Sequence, residues 1–254
     1  MKRLSLLILS MAVFAACATV QYTGRRQFNL VSNAQEIELG EQSYAEVLKQ
    51  NPVTKNAEYQ RRVQEVGRRI QAAANEPNYK WEFNVLQGKD VNAFCLPGGK
   101  VAFWEAIIPI CGSDDGIAVV MGHEVAHALA HHGAERMSQS MGAEIVGQLI
   151  SVGLSKSEPA VRDRALQAYG LGAQVGVMLP FSRSHESEAD HIGLILMAKA
   201  GYDPREAVNF WKRMSQSAGG QKPPEFLSTH PADETRIKQI ESWLPEAMSY
   251  YKGK

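Results

Sequence analysis

Cysteine is scarce in this chain: three in 254 residues, at Cys17, Cys95 and Cys111. No two have Cys-x-x-Cys spacing, which excludes a disulfide-dense scaffold and argues against a cysteine-rich structural zinc site. An excess of charge of either sign is also missing. Lys and Arg number 27 and so do Asp and Glu, so there is no basic field of the kind that binds nucleic acid. Beyond the N-terminus no apolar run is long enough to span a bilayer. Charged residues make up 21% and are spread out, which excludes long disordered tails. What remains is a chain that is 44% hydrophobic, enough for one domain with a substantial core or for two small ones.

The N-terminus reads MKRLSLLILSMAVFAAC. Lys2 and Arg3 precede an apolar run, Leu4 to Phe14, too short to be a comfortable permanent span. This pattern predicts a signal peptide over residues 1–16. Ala15-Ala16-Cys17 resembles a bacterial lipobox, with Phe14 where Leu is usual. On that reading Cys17 is the lipidated first residue of the mature chain, residues 17–32 are a tether, and the protein sits on the periplasmic face of the outer membrane in a bacterial cell envelope. Membrane contact would then come through the N-terminal lipid anchor. The alternative is an ordinary signal cut after Ala16 or Ala18. Cys95 and Cys111 are expected either as a bridge or as two buried thiols.

Periodicity predicts helices over 33–49 and 57–74, the second with Val63, Val66 and Ile70 at spacings of three and four. Residues 80–86 alternate like a strand. Runs at 91–96 and 100–104 flank Pro97-Gly98-Gly99 and predict a hairpin. Ser113-Asp114-Asp115 is a helix start with a capping hydroxyl and two acids. The helix it opens is almost wholly apolar from Ile117 to Ala130, so it is expected to be buried. Further helices are expected at about 134–153, 159–179, 184–200, 204–217 and 232–247, with a loop from Gly219 to Pro224. The fold class is α+β, mainly helical, with a small mixed sheet packed on the buried helix, in one domain over 33–250.

That helix carries His123-Glu124-Val125-Ala126-His127. Two histidines at i, i+4 share one face and can hold one zinc, and Glu124 beside them can take a proton from an attacking water. His127 with His131 has the same spacing but no accompanying acid, and His131 and His132 read as surface or helix-end residues. A catalytic zinc needs a third protein ligand. Glu186 and Asp190, at i, i+4 on a later helix, supply a candidate ligand and a candidate partner for the far nitrogen of a ligand histidine. Glu188 is the rival ligand but points toward the polar side. His185 and His191 read as a solvated face.

HEVAH followed by ESEAD, in the form SR-x-x-E-x-E-AD-x-x-G, resembles the gluzincin zinc metalloproteases, and within them peptidase family M48. The resemblance runs from about 33 to 245. It implies a minigluzincin-like metalloprotease fold, one Zn2+ on His123, His127 and Glu186, and a short periplasmic member lacking the spanning helices and repeat tail of longer ones. Asn92-Ala93-Phe94 resembles the family's edge strand that holds substrate backbone. Ser228-Thr229-His230-Pro231 with Arg236 resembles its S-x-HP…R segment, which implies His230 as a catalytic oxyanion donor or a gate over the zinc, with Arg236 near substrate. The expected activity is zinc-dependent hydrolysis of peptide bonds in extended, unfolded or misassembled polypeptides. The alternative is a chaperone or assembly factor for outer-membrane proteins that uses the same groove.

Overall fold

The computed structural model describes residues 17–217 and 224–253. The expected leader over 1–16 and the loop residues before Pro224 lie outside the described residues. The chain divides into two compact units: Asn33–Ala130 with Glu186–Lys254, and Met1–Ser32 with His131–His185.

The first of these units opens with two helices, α1 (Asn33–Gln50) and α2 (Ala57–Ala74). Asn56 caps α2 by accepting from the backbone N–H groups of Glu58 and Tyr59. The expected stripe of Val63, Val66 and Ile70 is fully buried, and α2 packs on the sheet and on the buried helix that starts at Asp114. Each such side chain contributes about 1.5–3 kcal/mol by leaving water.

The sheet has three strands, β3 (Glu82–Leu86), β4 (Ala93–Leu96) and β5 (Lys100–Trp104), in the order β3-β5-β4. Strand β3 runs parallel to β5 and β4 antiparallel to it, with Ala93 opposite Phe103. The outer edge of β3 is occupied. Gln60 Nε2 donates to Phe83 O at 2.8 Å, Gln60 Oε1 accepts from Val85 N at 2.8 Å, and Thr54 N donates to Val85 O at 2.7 Å. Among the described residues no backbone group pairs with the outer edge of β4. One sheet edge is thus blunted and the other left open to another strand.

A short α3 (Ile108–Cys111) leads into α4 (Asp114–Leu129), the buried helix. Then follow, within this unit, the C-terminal part of α7 (Leu179–Lys199), α8 (Glu206–Ser217), the short α9 (Glu225–Thr229) and α10 (Glu234–Tyr250). Cys95 and Cys111 are both buried free thiols.

The other unit holds an antiparallel pair, β1 (Cys17–Thr19) and β2 (Arg26–Phe28), and a helical hairpin of α5 (His132–Gly153) and α6 (Pro159–Ala173). A π-helical turn, Gln174–Met178, carries α6 on into α7. The predicted tether is therefore an ordered β-hairpin. Its anchor is Arg25, which makes a two-pronged pair with Glu135 at 3.0 and 2.8 Å. Glu135 also bonds His185 Nε2 at 2.9 Å, and the His185 ring stacks on His132 at 4.1 Å. His132 and His185, expected on the surface, are buried. Their partners are some fifty residues apart in the chain, beyond the reach of local periodicity.

Burial raises the Glu135 carboxyl, but His185 and Arg25 outweigh it and hold it down at about 2. Its folded value lies below its unfolded one, so its contribution to stability is complete above about pH 4.5 and is lost as pH falls toward 2. Glu135→Gln is expected to cost on the order of 2 kcal/mol at neutral pH. The cost should shrink when urea midpoints are compared at about pH 3, and an equal cost at both pH values would contradict the ion-pair account.

Candidate metal centre

The helix α4 starts where Ser113 accepts from Gly116 N at 3.1 Å, with Asp114 and Asp115 in the first turn. Nearly every residue from Gly116 to Ala128 is buried, so His123 and Glu124 are delivered into the interior. The partner helix reaches them through a glycine crossing. A Cβ on Gly122 would lie 2.8 Å from Gly193 O, and one on Gly193 would lie 2.9 Å from His123 N. The two backbones touch, which lets the short Glu186 and Asp190 side chains meet the α4 histidines. Gly193→Ala is expected to push these helices apart, costing about 1–3 kcal/mol in stability. Zinc affinity should fall at least tenfold, read by competitive titration, and an unchanged affinity would contradict the crossing.

Four donors converge. His123 Nε2 lies 3.1 Å from His127 Nε2, and Glu186 carboxylate oxygens lie 3.4 and 3.3 Å from those two nitrogens. His230 Nδ1 is 3.0 Å from His123 Nε2 and 2.8 Å from Glu186 Oε2. All four donor atoms lie within 4.8 Å of one another. Bonds of about 2.0–2.1 Å at tetrahedral angles put neighbouring donors about 3.3 Å apart, so these spacings fit the edges of a zinc tetrahedron. The electrostatics agree. Burial disfavours a charged His123, yet Asp190 and Glu186 outweigh it and raise its pKa to about 9. Burial likewise opposes ionisation of Glu186, but His123, His127 and His230 hold its carboxyl far below the usual range. The site stabilises positive charge at the point where the donors meet.

Behind His123 stands a chain of support. Its Nδ1 lies 2.9 Å from Asp190 Oδ1, which fixes the tautomer that leaves Nε2 facing the cluster. Arg236 grips both Asp190 oxygens at 2.7 and 2.8 Å and donates to Pro231 O at 2.9 Å. Its guanidinium lies 3.5 Å from the centroid of the Trp211 ring. Arg236, expected at the substrate, is buried behind His123, with its guanidinium held by Asp190 and Pro231 O and one nitrogen 3.5 Å from Glu186 Oε2. The reason is the pitch of α10: Asp233 caps it through Arg236 N, and the Arg236 side chain turns inward.

Glu124 is buried, its Oε1 has no hydrogen-bond partner, and His230 Nε2 is 3.4 Å away. Burial raises its pKa. A carboxylate in that state is costly as a structural element and suited to accepting a proton. His230 ends α9, where its ring packs on Phe226 at 4.5 Å. Phe226 N donates to Val91 O at 2.9 Å, linking α9 to the approach of β4. Asn92 lies just before β4: its carbonyl accepts from Trp104 N at 3.0 Å, and its side chain accepts from Ala93 N at 2.9 Å. Ala93 opens the strand and is buried. Burial and the nearby Glu124 charge both raise the Cys95 thiol, which places β4 alongside α4.

The other candidates stay outside the cluster. His131 has left-handed backbone, φ 54°, where the chain leaves α4. Glu188 is buried but offers no atom to the donor group. His191 stacks on Trp243 and bonds Glu246 at 2.7 Å. Three features escape the sequence pattern: the Gly122–Gly193 contact, Trp211 under Arg236, and Phe226 under His230. Only the glycines carried a signal, since each lies on the helix face turned toward its neighbour.

An H-E-x-x-H helix, a carboxylate from a second helix and a small mixed sheet define a zinc peptidase fold. A profile of Peptidase family M48 matches residues 57–244, and the chain belongs to that family. It is similar to the mitochondrial metalloendopeptidase OMA1 of Schizosaccharomyces pombe, at 38% identity over 90% of this chain and 66% of that protein. The OMA1 of Saccharomyces cerevisiae is 32% identical over 94% of this chain and 75% of its own length. The β-barrel assembly-enhancing protease of Escherichia coli is 28% identical, with 86% of this chain and 46% of that protein covered. The chain thus spans about two thirds of the first of these relatives and under half of the bacterial one.

These identities correct the expected location. The proteins named as mitochondrial are more similar to this chain than the bacterial protease is, which overturns the reading as a bacterial periplasmic outer-membrane lipoprotein, and with it a lipid on Cys17. An N-terminal stretch with Lys2, Arg3, Ser5 and Ser10 and no acid fits more than one targeting pattern, so the residues alone could not separate them. Cys17 itself lies in β1, opposite Phe28.

Proposed function

We propose that this chain is a zinc-dependent endopeptidase acting on extended stretches of unfolded or misassembled polypeptide. The observation that carries this is Glu124: a buried carboxylate whose Oε1 accepts no hydrogen bond and faces His230 Nε2 at 3.4 Å, beside a group of four metal donors. A purely structural metal site has no use for it. His123, His127 and Glu186 would hold the ion, with Asp190 and Arg236 fixing His123. A zinc ion so held supplies Lewis acidity and brings water deprotonation near neutral pH, at ~7. Glu124 takes the proton of the attacking water and returns it to the leaving amine.

The substrate pairs its backbone with the open edge of β4, entering beside Asn92 and Ala93. Main-chain pairing favours extended chains over particular side chains, which is why unfolded polypeptides are the substrate class. The named activity of the OMA1 relatives supports this reading. One observation favours a second reading, polypeptide holding without cleavage: His230 Nδ1 stands in the fourth donor position, where a reacting carbonyl would need to be.

The test is cleavage of a permanently unfolded protein and of its folded form by the full chain. Fragments should come from the unfolded form only, vanish on chelation and return with about one zinc per chain. Cleavage that survives chelation would defeat the proposal.

A further inference from the structure

The α5–α6 hairpin has no core of its own. From Gln139 to Ala173 not one residue is buried. Ten of the fifteen exposed large hydrophobic side chains among the described residues lie between Met137 and Leu179. On α5, Met141, Ile145, Leu149 and Val152 recur at spacings of three and four, with Leu149 at 66% and Val152 at 70% exposure. Leu171, also 66% exposed, and Val175 form a matching stripe on α6 and the turn after it. Between the helices lies a cleft of about 430 Å³ walled by Gly142, Ala143, Gly172 and Ala173 among others. Helices gain most of their stability by burying an apolar face, and beyond Ser138 this pair buries none.

We propose that a phospholipid bilayer surface covers this hairpin, which lies in the interface with its apolar stripes among the upper acyl chains. Charge supports lipid as the occupant. Between Met137 and Ser155 the only charged residue is Glu144, and from Ala165 to Ser182 there is none. Cations stand at both ends: Arg136 and Arg183 at the root, and Lys156, Arg162 and Arg164 near the tip. From Arg136 to Arg183 five cations face three acids, in a chain whose net charge is zero. Apolar length flanked by Lys and Arg is the pattern of an element that rests among headgroup phosphates. Among the described residues no helix is long and apolar enough to cross the membrane, so the proposal lays the hairpin on the bilayer.

The β1–β2 hairpin is fixed at the root of α5, where Leu30 N donates to Ser138 Oγ at 2.8 Å. A lipid surface also conforms to divergent stripes and an irregular cleft at once.

The test uses the full chain, so that residues 1–16 contribute equally to every variant. Leu149→Trp and Leu171→Trp are reporters, and Leu39→Trp, exposed on α1, is the control. Vesicles of brominated phosphatidylcholine, with and without phosphatidylglycerol, should quench both reporters and leave the control unaffected. Phosphatidylglycerol should strengthen binding. Changing Leu149, Val152 and Leu171 together to Gln should lower vesicle partitioning roughly a hundredfold. Reporters quenched no more than the control would overturn the proposal. So would stripes that become protected with rising protein concentration in the absence of lipid, which would assign the face to a second copy.

Discussion

Glu124→Gln is expected to lower kcat/KM on an unfolded polypeptide by about a thousandfold while the chain retains its zinc. Glu124 is not among the four donor atoms, so its loss removes no ligand. Its Oε1 accepts no hydrogen bond, with His230 Nε2 3.4 Å away, so the amide breaks no hydrogen bond at that atom. What is lost is the capacity to take a proton. Burial raises the Glu124 pKa, moving the carboxylate toward the basicity that suits a base near neutral pH. The check is steady-state cleavage together with metal content on the same preparations. Undiminished cleavage at equal zinc would remove Glu124 from the mechanism.

His230→Ala is expected to raise basal cleavage about tenfold, and the sign of this effect matters more than its size. The His230 ring fills a corner of the donor tetrahedron, its Nδ1 3.0 Å from His123 Nε2 and 2.8 Å from Glu186 Oε2. A substrate carbonyl must displace it. If the open arrangement is about a tenth of the population, removing the ring returns that factor. The same change should weaken zinc binding, because a donor is gone. A fall in cleavage of a hundredfold or more, with zinc retained, would instead make His230 an oxyanion donor. Initial rates at saturating zinc separate the two.

Much of this was legible in the chain, for identifiable reasons. Helix α2 occupies 57–74, as its apolar spacing requires, because one face meets one sheet. The helix start at Ser113 was readable because a cap is a local interaction. Glu186 and Asp190 could be placed on the metal side because i, i+4 residues share a face. The features that were not legible all depend on distant partners. Residues 17–32 look like a tether until Glu135 appears opposite Arg25. His132 and His185 look solvated until they stack on each other. Arg236 looks like a substrate contact until Asp190 claims both its arms. The short α9, which sets His230 in place, has only five residues and no periodicity to reveal it.

The central claim is that a zinc ion is held by His123, His127 and Glu186, with His230 as a removable fourth donor. X-ray absorption at the zinc edge, on the full chain and on His230→Ala, tests it most directly. Three imidazole nitrogens and one carboxylate oxygen are expected in the parent, at about 2.0–2.2 Å, falling to two imidazoles in the variant. A sulfur neighbour at about 2.3 Å, or the same imidazole count in both proteins, would contradict it.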